Sequence, residues 1–111
     1  MIYEADRIDM MAKRRDGGVD LFIVSSGPID ASAQTQSLLL DKVENYLRYI
    51  QSEDFKKDFP DTPRDHTSII FQLEEKAPDL LMALCEKIVP WAEDNGAKFV
   101  VMQGKETNAP A

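Results

Sequence analysis

His66 is the one histidine in the sequence, and it stands in acidic company, with Asp65 beside it and Asp54, Asp58 and Asp61 upstream. An imidazole among carboxylates can act as a general base or join a metal site. Scattered acids around one histidine do not make a ligand set, and a solvated loop histidine ahead of a strand explains the same residues. Cys85, the one cysteine, offers a nucleophile. Its place on the flank of an apolar helical stripe, beside Glu86, points instead to a small packed side chain whose thiolate is disfavoured. Lys13-Arg14-Arg15 is the one run of three bases. It suits contact with a phosphate or an acidic surface, and a solvated turn accounts for it equally. Gly17-Gly18 is no phosphate loop, because no lysine with serine or threonine follows in frame and a strand comes next. Adjacent Glu74 and Glu75 point apart at a strand end. Ser25, Ser26 and His66 coexist without a strained nucleophile turn or an oxyanion loop. Tyr46, Tyr49 and Trp91 suit core-rim packing with their polar tips in water. No residue is therefore assigned a catalytic, cofactor-binding or metal-binding role, and no cofactor is expected.

The elements that would position any such group are plainer. In Leu38–Ile50, LLLDKVENYLRYI, the residues Leu39, Val43, Tyr46, Leu47 and Ile50 recur at helical spacing, with Leu40 on the flank. Asp41, Asn45, Arg48 and Ser52 form the wet stripe, so the helix must bury one face. Asp30 or Ser32 caps it. Before it, Ile8, Met10 and Ala12 alternate as a strand, Asp16-Gly17 makes a hairpin turn, and Val19–Ser26 returns until Gly27-Pro28. After it, Ser52–Phe59 adds a turn, and Pro60 and Pro63 make a loop as far as His66. Thr67–Leu73 is a third strand. Pro78 opens a second helix bearing Leu81, Leu84, Ile88 and Trp91, with Pro90 inside it and Asn95-Gly96 at its end. Ala97–Gln103 is the last strand.

The predicted order is β-β-α-β-α-β, an α+β fold with a four-stranded mixed sheet and two helices. Strands two to four run parallel and strand one antiparallel to strand two, with right-handed crossovers. Residues 1–103 are expected to form one domain and 104–111 a flexible tail.

At 111 residues the chain is one domain's worth, with 43% apolar and 30% charged residues and a net charge of −7. An acidic balance argues against nucleic acid, whose binding rests on neutralising phosphates. No run of residues is apolar enough to span a membrane, no signal peptide is recognisable at the N-terminus, and a lone cysteine makes no intrachain disulfide. A cytoplasmic protein is the expectation.

The alternation carries one further consequence. If Ile8, Met10, Leu21, Ile23, Ile69, Phe71, Leu73, Phe99 and Val101 face the helices, the second sheet face carries Met11, Phe22, Val24, Ile70, Val100 and Met102. That is too apolar for open water. Either the two helices cover opposite faces of the sheet, or this face meets a partner or a second copy as a homodimer. With no convincing reaction centre, the leading functional reading is a non-enzymatic interaction or regulatory module, of which an acidic inhibitor or immunity-type partner of a basic protein is one form. The alternative is a small-ligand binder or modest enzyme with a cleft near His66 and Trp91.

Several segments together resemble a family of small bacterial proteins of unknown function. They are Ile8-Asp9, the Asp16-Gly17 hairpin, Ile29-Asp30, the Leu38–Ile50 helix, Phe59-Pro60 and Asn95-Gly96-Ala97-Lys98-Phe99. The resemblance spans about Arg7–Met102. It implies a bacterial α+β domain and brings no catalytic residues.

Overall fold

The computed structural model describes residues 8–63 and 66–104. Its elements are β1 (Met10–Lys13), β2 (Val19–Ser25), α1 (Ala33–Ile50), α2 (Glu53–Asp58), β3 (Thr67–Leu73), α3 (Asp79–Asp94) and β4 (Lys98–Gln103). The sheet order is β1-β2-β3-β4, antiparallel between β1 and β2 and parallel thereafter. The fold is α+β with a mixed four-stranded sheet, as the alternation predicts.

Asp-Gly makes the hairpin by a local mechanism. Gly17 takes φ 88°, the left-handed conformation that a residue without Cβ adopts freely. The Asp16 carboxylate accepts the Gly18 N–H at 2.8 Å, an Asx bond that stabilises the turn. Gly18 has a different reason to be glycine: a Cβ there would lie 2.5 Å from the His66 carbonyl oxygen and inside the Arg14 guanidinium.

At the start of α1, Ser32 and Asp30 work together rather than as alternatives. The Thr35 N–H donates to Ser32 Oγ at 3.2 Å, and Ser32 Oγ donates to Asp30 at 2.9 Å. The helix then buries Leu39, Val43, Tyr46 and Leu47.

The turn expected after α1 is a third helix, which makes three helices where the pattern predicts two. Ser52 adopts an extended conformation (φ −85°, ψ 162°) that breaks α1, and its hydroxyl then caps α2. Phe55 is buried, edge-on to Tyr49 at 5.3 Å between centroids. That packing gives six residues a reason to be helical that their propensity does not.

In α3 the buried stripe is Leu81, Cys85, Ile88 and Ala92. Leu84, expected on the buried face, is half-buried on its flank, as is Trp91, which sits at the core rim. The stripe that faces the core therefore includes the small side chains of Cys85 and Ala92. Pro78 precedes α3 as its cap residue.

Both long helices lie on one side of the sheet. Leu39, Val43 and Leu47 of α1 and Leu81 and Ile88 of α3 join one core with Val19, Leu21, Ile23, Ile69, Phe71, Leu73 and Phe99. Those strand residues alternate and so share a face. Of the two arrangements the sequence leaves open, helices on opposite faces is therefore not the one adopted. The expected tail, Gly104 apart, lies outside the described residues.

Candidate functional site

The second sheet face is built by register. Met10, Phe22, Ile70 and Val100 are cross-strand neighbours in one row. Val24, Gln72 and Met102 form the row above, and Ala12, Asp20, Ser68 and Lys98 the row below. Met11, expected on this face, pairs with Leu21 and so points to the helical side, while Met10 takes its place. The hairpin register decides this: a shift of one residue turns every side chain of a strand over. Ile70, on an interior strand, is 7% exposed, whereas Met10 and Val100 at the ends of the row are 49% and 40% exposed. Among the described residues no helix or strand covers the row. At the lower end, Arg14 lies over Gly18, forms an ion pair with Asp20 and donates to the His66 carbonyl at 2.9 Å.

The rim between β1 and β2 holds a buried polar cluster that sequence reasoning missed. Lys42 of α1 is fully buried, and its Nζ lies 2.7 Å from Asp9, whose side chain is 7% exposed. The second Asp9 oxygen accepts the Val24 N–H at 2.9 Å. The Asp9 N–H donates to the Tyr46 hydroxyl at 2.9 Å, and that hydroxyl donates to the Phe22 carbonyl. The cluster thus continues the β1–β2 pairing with side chains beyond Met10. Burial alone would raise the Asp9 carboxyl; the bonds from Lys42 and Val24 outweigh it and hold the group below the usual carboxylate range. Burial, reinforced by the Asp9 charge, pushes the Tyr46 phenol well above its ordinary value. A signal was available: Lys42 falls three residues after Leu39 and four before Tyr46, inside the apolar stripe, where a cation requires an acid.

A cleft of about 710 Å³ opens at the C-terminal ends of α1 and α3, walled by Ile50, Phe55, Phe59, Pro63, Thr67 and Asn95. Gln51 bridges the two helix ends by donating to Asn95 Oδ1 at 3.1 Å. Thr62 Oγ1 is buried at this wall without a hydrogen-bond partner. His66 and Trp91, around which a cleft was expected, do not line it, although His66 directly precedes the lining residue Thr67.

The remaining candidates do not converge. The His66 side chain is exposed, and its neighbour Asp65 lies outside the described residues. Cys85 is buried, and burial pushes its thiol up to about 11. Ser25 is buried on the helical side, and its carbonyl accepts the Glu74 N–H at 3.1 Å. Among the described residues no group of three His, Cys, Asp or Glu side chains could hold a metal. No described helix is long and apolar enough to cross a membrane.

Comparison with known proteins adds little chemistry. A family model described as a family of unknown function, DUF6572, matches residues 1–105. No curated protein and no solved structure matches the chain.

Proposed function

Since the chain belongs to the DUF6572 family, a family of unknown function, we propose from its surface that it is a non-enzymatic protein-interaction module that docks through the second sheet face. The observation that carries this reading is the row Met10–Phe22–Ile70–Val100, apolar from edge to edge, on the side of the sheet opposite both long helices. Contiguous apolar patches of this kind mark interaction sites. The same reading places the protein in a bacterial cytoplasm, consistent with its acidic composition and lone cysteine. An inhibitor or immunity-type role toward a basic protein is a separate finer form, one that would engage the acidic helical layer and not the sheet face. The test is capture by the immobilised full chain from bacterial lysate, comparing wild type with Val100→Asp and with Leu80→Asp on exposed α3. Binding lost only with Val100→Asp supports the reading; capture indifferent to Val100 rules it out.

The cleft favours a second reading, a small-ligand site. The carbonyl ends of two helices meet there beside Phe55 and Phe59, which suits a small organic cation. Thermal shift against a panel of small amines tests it. Because His66 does not line the cleft, His66→Ala should leave any such shift unchanged; dependence on His66 would contradict this placement.

A further inference from the structure

We infer that the occupant of the open sheet face is a second copy of this chain, related by a two-fold axis parallel to the strands. The inference rests on the docking reading above and adds the partner's identity. Charge distribution is the first argument. The three helices hold nine acids against five bases, whereas the charges on the open-face rows are Asp20, already paired with Arg14, and Lys98. Two chains of charge −7 therefore repel less through this face than through the helical layer. Stacked sheets lie about 10 Å apart, and each helical layer lies about 10 Å further out. The two acidic layers then stand about 30 Å apart, several Debye lengths of about 8 Å at physiological salt. A basic partner, by contrast, would be drawn to the helices and not to this face.

Register is the second argument. A two-fold axis along the strands keeps each residue at its own height and reverses the strand order. The apolar row then lies on the same row of the other copy: Phe22 over Ile70 of the partner subunit, and Met10 over Val100 of the partner subunit. The two side chains left most open in the row, Met10 and Val100, cover one another reciprocally. Their positions on the opposite edge strands β1 and β4 separate them within one copy, so neither covers the other there.

Area sets the strength. Four strands about 4.8 Å apart and about five residues long at about 3.3 Å give about 300 Å² in projection. Even doubled for side-chain relief, this falls short of the about 800 Å² each partner gives to a standard interface. The dimer is accordingly a small-interface, concentration-dependent one.

Sedimentation velocity of the full chain from about 1 μM to about 1 mM tests this. Wild type should pass from monomer to dimer across that range. Val100→Asp, which buries an unpaired carboxylate, should weaken association by about tenfold or more, and Met10→Lys should do likewise. The double variant Met10→Lys/Val100→Asp should recover wild-type association within about threefold, because the two-fold axis sets each new lysine against the other copy's new aspartate. Far-ultraviolet circular dichroism verifies that each variant is folded; if Val100→Asp unfolds, Val100→Thr replaces it and should weaken the dimer more mildly. A monomer at the highest concentration overturns the inference. A dimer indifferent to Val100 also overturns it, as does a double variant weaker than either single one. A monomer whose lysate capture still depends on Val100 removes the second copy and leaves the docking reading standing; indifference in both assays removes both.

Discussion

Replacing Lys42 by methionine should be among the most damaging single changes in this protein, and the damage should depend on pH in a defined way. Methionine keeps most of the stem's packing and removes the ammonium 2.7 Å from Asp9. The Asp9 carboxylate would then be nearly buried without that cation, although the Val24 N–H still reaches it at 2.9 Å. Removing one partner of a buried ion pair costs about 3–5 kcal/mol. The pair lies at the sheet rim, so we expect the lower end, about 3 kcal/mol at pH 7. Against a total stability of about 5–15 kcal/mol for a chain of this size, that is a large fraction. Asp9 is held below its ordinary value of 3.8 in the folded wild type. Its charge therefore contributes stability above the unfolded value, and that contribution is lost as pH falls through the folded one. In the variant, loss of the Lys42 bond moves the group upward from its wild-type value, so it is protonated sooner in acid and the deficit shrinks. Urea denaturation followed by circular dichroism at pH 7 and about pH 3 measures both. A cost under about 1 kcal/mol at pH 7, or a cost unchanged at pH 3, would refute the reasoning.

Leu47→Ala should cost about 2–5 kcal/mol in the same assay, the range for a buried leucine; under about 0.5 kcal/mol would mean the core face of α1 is misassigned. Gly18→Ala should cost about 1–3 kcal/mol, because its methyl would meet the His66 carbonyl and the Arg14 guanidinium; a neutral or stabilising result would contradict that packing. Cys85, with its thiol pushed up to about 11, should react with a thiol reagent at pH 8 about a hundredfold more slowly in the folded protein than in urea. Equal rates would show that Cys85 is not held in the core.

Most of the architecture follows from short-range rules. The α1 stripe from Leu39 to Ile50 shows in the spacing alone, because a helix repeats every 3.6 residues whatever it packs against. Asp16-Gly17 specifies its turn locally. The parallel direction of β2, β3 and β4 follows because each helix carries the chain back. What the sequence hides is non-local. Strand order depends on which edges meet, and no residue encodes that alone. The faces of Met10 and Met11 depend on a hairpin register that both residue types tolerate. The Asp9–Lys42 pair joins residues 33 apart, so only Lys42's place within an apolar stripe hints at it. Phe55 and Phe59 show the spacing of α2, but its helicity rests on contact with Tyr49.

The central claim is that α1 and α3 share one side of the sheet and leave Val100 on an apolar face open to a partner. Methyl relaxation by a soluble paramagnetic agent, on valine-labelled protein diluted to about 10 μM, examines it most directly, because such an agent broadens only methyls it can approach. Strong broadening is expected at Val100, little at Val43, and protection of Val100 as protein concentration rises. A Val100 methyl as sheltered as Val43 at the lowest concentration would contradict it.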